Sequence, residues 1–218
     1  MAKRFELIVF DWDGTLLDST AAIATSVQAA ARDLDLPVPS DERARHIIGL
    51  GLIDAMRYAL PDLPEHRYRE VANRYRHHYL SRDHELELFA GAVELIESLA
   101  SAGHQLAVAT GKSRVGLDRA FAASGLGPLF VASRTADECH SKPHPQMLLE
   151  LMEELGVAPE ATLMIGDTTH DLQMAQNAGV ACLGVSYGAH PREALVDLAP
   201  VFCADDVGQM TAWLRENA

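Results

Sequence analysis

Two aspartates one residue apart, Asp11 and Asp13, close the run Phe5-Glu6-Leu7-Ile8-Val9-Phe10 and are followed by Gly14 and Thr15. The run is mostly apolar and β-prone, which reads as a buried strand. In an open α/β sheet the carboxyl end of such a strand opens on the crevice where ligands bind. Alternate residues of an extended chain share a face, so Asp11 and Asp13 can converge on one spot. Two like charges held that close are costly unless a cation or a proton lies between them. Taken alone, Asp-Gly is also ordinary turn chemistry.

Three further stretches complement this pair. Thr110-Gly111-Lys112-Ser113 follows the apolar run Leu106-Ala107-Val108-Ala109. A hydroxyl beside a permissive glycine suits a phosphate oxygen, although the same residues also cap helices. Ser141-Lys142-Pro143-His144-Pro145 sets a compact cation in a stiffened backbone, or a solvated lysine before a helix. Gly166-Asp167-Thr168-Thr169-His170-Asp171 follows Leu163-Met164-Ile165. A spacing of four puts Asp167 and Asp171 on one side of a helical turn, and acids there also serve as caps. All four stretches end expected strands, so a parallel sheet would gather them at one rim. Carboxylates, a hydroxyl, an amine and glycines together make a kit for a Mg²⁺-bound phosphate ester.

The elements that must position these residues follow from periodicity and breakers. After the first strand, helices are expected over 21–34, over 40–48, over 52–60 and over 65–80, with Ser19 and Ser40 at caps and prolines between them. This helical stretch, placed directly after the carboxylates, reads as a lid or substrate domain, or as a structural bundle beside the core. From Phe89 onward strands and helices alternate. Strands are expected over 105–109, 130–132, 162–165, 181–185 and 201–203. Helices are expected over 91–102, 114–124, 145–155, 171–177 and 192–198, and a last helix, capped by Asp205, runs to 216.

The order of Asp11-x-Asp13-Gly14-Thr15, Thr110, Lys142-Pro143 and Gly166-Asp167-x-x-x-Asp171 resembles the haloacid dehalogenase superfamily over essentially the whole chain. The helical stretch resembles that superfamily's C1 caps. Leu16-Leu17-Asp18-Ser19 and Ile48-Gly49-Leu50-Gly51-Leu52 are similar to phosphoglycolate-phosphatase-like members. Those relatives often carry Asn where this chain has Gly111. The resemblance implies an α/β fold, a Rossmann-like parallel sheet with helices on both faces. The core would span 1–15 and 87–218, with an all-helical cap over 16–86. It also implies an Mg²⁺-dependent phosphatase. Asp11 would be the nucleophile and Asp13 the acid and base; Asp11, the Asp13 carbonyl and Asp167 would hold Mg²⁺. Thr110 and the Gly111 N–H would hold phosphoryl oxygens, Lys142 would neutralise them, and Asp171 would support Lys142 or the metal. A sugar phosphomutase and a non-catalytic phosphometabolite-binding protein are the alternatives on this scaffold.

Composition bounds the partners. A net charge of -13 argues against nucleic acid. No apolar run approaches a membrane span, Met1-Ala2-Lys3-Arg4 opens no signal segment, and the three cysteines lack a CxxC pairing. These features imply a cytoplasmic protein without membrane partners; the resemblance implies a small phosphorylated metabolite as its partner, and a monomer or weak homo-oligomer is expected. His140, His144, His170 and His190 read as loop or capping residues, His77 and His78 as exposed, Cys139 as inert and Trp12 as packing. Arg43, Arg45 and His46 are candidates for reading the leaving group.

Overall fold

The computed structural model describes residues 4–218, so the reading of Met1-Ala2-Lys3 lies outside the described residues. Six strands form one parallel sheet: β1 (Leu7–Phe10), β2 (Gln105–Thr110), β3 (Ala132–Thr135), β4 (Thr162–Gly166), β5 (Ala181–Val185) and β6 (Phe202–Ala204). Their spatial order is β3-β2-β1-β4-β5-β6, which puts the carboxylate strand at the centre. Alternation splits β1 between two cores. Ile8 and Phe10 pack on one face with Leu95, Ile96 and Leu117, and Leu7 and Val9 on the other with Leu148, Leu151 and Met174. Such a sheet is covered on both faces, and its inner strands are accordingly continuous apolar runs. The α/β class and Rossmann-like core expected above are therefore the fold observed.

Between β1 and β2 lie helices α1 (Thr20–Asp33), α2 (Asp41–His46), α3 (Leu52–Ala59) and α4 (Tyr68–Leu80), then α5 (Ala92–Ser101). The first four share an apolar cluster of their own, with Val27, Ala30, Ile47, Met56 and Val71 inside. The two chain segments that join this insertion to the sheet lie side by side. The Asp18 N–H donates to the Glu87 carbonyl (3.0 Å) and the Phe89 N–H to the Leu16 carbonyl (2.9 Å). Helices α6 (Arg114–Ser124), α7 (Gln146–Leu155), α8 (Thr169–Ala178), α9 (Arg192–Val196) and α10 (Val207–Asn217) complete the alternation.

Several boundaries differ from expectation for identifiable reasons. The third strand is β3, Ala132–Thr135, rather than 130–132, because Gly127–Leu129 forms a 3₁₀ turn and pairing with β2 begins at Ala132 opposite Ala107. The expected helix over 40–48 stops at His46, whose carbonyl accepts hydrogen bonds from outside the helix. The stretch 65–80 divides into a 3₁₀ turn, Glu65–Arg67, and α4. Asp206, not Asp205, caps α10, accepting from the Gln209 N–H (2.7 Å), because Asp205 is engaged by the Ser186 hydroxyl (2.6 Å).

Candidate active site

The carboxyl ends of β1, β2 and β4 are adjacent in the sheet, so their loops meet. Asp11 follows β1, fully buried, and the Lys142 ammonium lies 2.9 Å from its Oδ1. Lys142 also donates to Asp171 Oδ1 at 2.6 Å, so one buried cation bridges two carboxylates. Asp171 is held by α8 itself: Thr168 at the N-cap accepts from the Asp171 N–H, and Asp171 accepts from the Thr168 N–H and hydroxyl. That capping box consumes the second oxygen of Asp171 and makes it a support for Lys142.

Asp167 completes the group. Asp11, Asp167 and Asp171 bring carboxylate oxygens within 4.8 Å of one another. Asp167 accepts from the Thr15 hydroxyl (3.0 Å) and from the Ala189 N–H (2.7 Å). Gly14 is required beside it, because it has φ +79° and a Cβ there would collide with the Asp167 carboxylate. Burial pushes Asp11 up to about 7, and the nearby Asp171 and Asp13 add to the rise while Lys142 opposes it. Burial likewise holds Asp167 well above the carboxylate range, aided by Asp11 and Asp171. Burial alone would lower the Lys142 ammonium, but Asp11 and Asp171 outweigh it and keep it firmly protonated. Apart from the Lys142 ion pair at Oδ1, neither carboxylate oxygen of Asp11 has a hydrogen-bond partner among the described residues. Buried carboxylates with unused lone pairs converging on one point fit a hard divalent cation, and an all-oxygen donor set fits Mg²⁺.

Asp13 sits one strand position further on. Its Oδ1 accepts from the Ser19 hydroxyl at 2.6 Å, and its Oδ2 pairs with the Lys112 ammonium at 2.9 Å. Lys112 also donates to the Tyr79 hydroxyl of α4 at 3.1 Å, linking the core loop to the insertion. Thr110, at the end of β2, is buried and turned toward its own loop, accepting from the Lys112 N–H at 3.3 Å. Gly111 meets the insertion directly: a Cβ there would lie 2.6 Å from the Gly49 carbonyl oxygen and 2.7 Å from that of Leu50. A side chain at this position has no room here. The Gly51 N–H of the same insertion loop donates to the Ser141 hydroxyl at 2.8 Å. The structure thus brings together Asp11, Asp13, Thr110, Gly111, Lys142, Asp167 and Asp171, all expected from sequence.

Other expectations divide. Ser19, read as a helix cap, makes no capping bond and instead holds Asp13. Lys112 lay inside a motif but carried no expected role, and its partners come from segments distant in sequence. Arg43 and Arg45 do not reach this site. Arg45 pairs with Asp41 (2.9 Å), and Arg43 lies over the Tyr58 ring on the outer face of the insertion. His170 in the first turn of α8 and His190 in the loop after β5 are buried, and both donate to the His46 carbonyl, at 2.7 and 3.2 Å. Because His190 Nδ1 accepts from the Thr169 N–H (3.0 Å), its proton is on Nε2. His77 is exposed, whereas His78 is half-buried against Asp33 (2.8 Å). Burial raises the Cys139 thiol to about 11, which leaves it unreactive. Trp12 is buried against Phe121 and Phe130.

A parallel α/β sheet with an acidic, lysine-bridged rim under a helical insertion defines a class of hydrolases built around a strand-end aspartate. The match to the haloacid dehalogenase-like hydrolase family spans residues 8–185, and the chain belongs to that family. It is 36% identical to a probable phosphatase, IndB, of Dickeya dadantii over 210 residues, covering 94% of this chain and 91% of that one. It is 36% identical to a 5'-nucleotidase of Pseudomonas aeruginosa, covering 94% and 93%. The solved structure of a predicted phosphoglycolate phosphatase from Haemophilus somnus superposes with a TM-score of 0.84 at 27% identity, covering 99% of both chains.

Proposed function

We propose that this chain is an Mg²⁺-dependent phosphatase that hydrolyses a small phosphorylated metabolite through an aspartyl-phosphate on Asp11. The chain is a phosphoric monoester hydrolase: its family and the phosphatases and nucleotidase similar to it along nearly their whole length carry that much. The observation that supports the finer reading is Asp11 itself, buried, ion-paired with Lys142 at Oδ1, otherwise without a hydrogen-bond partner, and close to Asp167.

Asp11 Oδ attacks phosphorus and the bond to the ester oxygen breaks. Protonated Asp13 gives its proton to the departing alkoxide, which leaves as the alcohol. Asp13, now ionised, takes a proton from water as that water attacks phosphorus, and inorganic phosphate leaves with Asp11 regenerated. Ser19 and Lys112 aim the Asp13 carboxylate, and Lys142 offsets the repulsion between Asp11 and the incoming phosphate. Asp11, the Asp13 carbonyl and Asp167 would hold Mg²⁺, which when bound would neutralise charge on the transferring group. Thr110 and the Gly111 N–H bind phosphoryl oxygens. The helical insertion over 16–86 acts as a cap that excludes water and contacts the leaving group, with the core formed by 1–15 and 87–218.

Brief reaction with a phosphorylated substrate in Mg²⁺, followed by acid quench and borohydride reduction, tests the covalent step. The expected result is conversion of Asp11 to homoserine, located by peptide mass spectrometry. Turnover at full rate with no trapped Asp11 adduct would overturn the covalent reading.

A further inference from the structure

The carboxylates of the site are supported in different ways. Asp11 and Asp167 draw their partners from the core: Lys142, bridged to Asp171, lies 2.9 Å from Asp11, and Asp167 accepts from Thr15 and Ala189. Asp13 is held across the boundary with the insertion. Its Oδ2 pairs with the Lys112 ammonium at 2.9 Å, and that ammonium donates to the Tyr79 hydroxyl, near the end of α4, at 3.1 Å. The ammonium also lies 5.0 Å from the centre of the Tyr79 ring. Tyr79 is fixed in turn by its own helix, stacked on Tyr75 one turn earlier with ring centroids 5.9 Å apart. Burial, and then Asp13, push the Tyr79 hydroxyl well above its ordinary range, so it stays neutral and accepts from the ammonium. Tyr79 and Lys112 both line the cleft that opens on Asp13.

We infer that Tyr79 is a positioning residue for Asp13: acting through Lys112, its hydroxyl ties the aim of that carboxylate to the place of the insertion. This rests on the phosphatase reading above. A lysine ammonium sits on a flexible stem and holds one place only when it is gripped from more than one side. One grip on Lys112 is the carboxylate it has to aim, and the other is Tyr79. Without the Tyr79 hydroxyl, Lys112 keeps its charge and its pairing with Asp13, but the pair is free to swing. Asp13 must lie within hydrogen-bond reach of the ester oxygen as the P–O bond breaks. Attack by Asp11 depends on no such link, so a disturbance at Tyr79 falls on protonation of the leaving group. That protonation matters to different degrees for different alcohols. A basic alkoxide leaves poorly without a proton, whereas a nitrophenolate leaves as the anion. Ser19 still holds Oδ1 at 2.6 Å, so losing the tyrosine hydroxyl loosens Asp13 without releasing it.

Two esters of similar shape and very different leaving-group basicity, para-nitrobenzyl phosphate and para-nitrophenyl phosphate, test this in Mg²⁺. The parameter is kcat/KM, which ends at the first irreversible step and so excludes hydrolysis of the aspartyl-phosphate. Tyr79→Phe keeps the ring and its stack on Tyr75. It should lower kcat/KM about tenfold or more for the benzyl ester and less than about threefold for the phenyl ester, part of the ~10²- to 10⁴-fold that a general acid supplies. Lys112→Met should show the same selective loss. Adding Tyr79→Phe to Lys112→Met should change the ratio of the two esters no further, because Tyr79 acts through the lysine. Equal losses for both esters would make Tyr79 a structural residue and overturn the inference. A selective effect of Tyr79→Phe that persists without Lys112 would overturn it as well. In either case the unsubstituted enzyme still releases phosphate and the phosphatase reading stands. No release from either ester by the unsubstituted enzyme would overturn that reading, and this inference with it.

Discussion

Asp11 carries a charge that the fold makes costly and the reaction makes necessary. It is buried among Asp13, Asp167 and Asp171 with two lysines nearby, and burial dominates its rise to about 7. Asp11→Asn should lower turnover at least about 10³-fold, because an amide is a poor nucleophile. In chelator it should also raise stability, by on the order of 1–3 kcal/mol, because one member of a repelling buried group is removed while Lys142 keeps Asp171. A melt in chelator beside a phosphate-release assay checks both, and retained turnover would sink the assignment. Asp11 and Asp167 were legible in the sequence because each closes an apolar run at a strand end, and Asp13 and Asp171 by their spacing of two and four from them. Ser19 and Lys112 were not assigned their roles, because each takes its role from a contact and not from its own neighbourhood. A serine before a helix looks like a cap, and nothing local to Lys112 announces Tyr79, 33 residues away.

At the scale of elements, two of the contacts that join the insertion to the core run through backbone carbonyls of the segment 46–50. The first is the approach of the Gly49-Leu50 carbonyls to Gly111. Gly111→Asn should hold the insertion away from the core. The expected result is a loss of about tenfold or more in kcat/KM for all esters, with faster proteolysis at the linkers near Leu17 and Leu88. Unchanged kinetics would show that the loop yields freely. The second contact is the His46 carbonyl, which accepts from His170 and His190. Burial, then His170, lowers His190 to about 4, against an ordinary 6.5. The unfolded chain therefore takes up the proton first, and the stability present above about pH 6.5 is lost as pH falls through about 4. Between pH 6.5 and 5 this amounts to about 2 kcal/mol, at ~1.4 kcal/mol per unit. His190→Asn should reduce the fall in melting temperature over that interval. An identical fall in both proteins would assign the acid sensitivity elsewhere. The helix count and the parallel class were legible from breakers and apolar runs. The end of α2 and the register of β3 were not, because a tertiary hydrogen bond sets one and pairing to β2 the other.

Taken whole, the molecule is acidic, with a net charge of -13, and concentrates buried carboxylates at one rim. A cation that binds only the folded form relieves that rim. Mg²⁺ at about 100 times its dissociation constant should stabilise the fold by about 2.7 kcal/mol. Chelation should abolish turnover and lower the melting temperature, Mg²⁺ should restore both, and Ca²⁺ should restore stability better than activity because its looser shell misplaces the reacting groups. A melting temperature indifferent to Mg²⁺ in the unsubstituted protein would remove the metal from the rim. None of the described helices is long and apolar enough to cross a membrane.

The central place of β1 also has a consequence for how the chain matures. Its partners arrive late in synthesis: Leu7 pairs with Gln105 on one side and with Thr162 on the other. Until β2 is made at Gln105–Thr110, about halfway along the chain of 218 residues, the Leu-Ile-Val-Phe strand has neither neighbour, and an unpaired apolar strand is the kind of segment that self-associates. The helices of the insertion, by contrast, complete their own apolar cluster from contacts within one contiguous stretch. Folding early, and with its two ends fastened side by side at Asp18–Glu87 and Leu16–Phe89, the insertion brings the start of the chain next to the segment leading into α5 and β2. A loop of some 70 residues then costs the sheet little more closure entropy than a short turn. Folding in that order, the helical insertion would act during synthesis as a splint that lets the central strand wait for its neighbours.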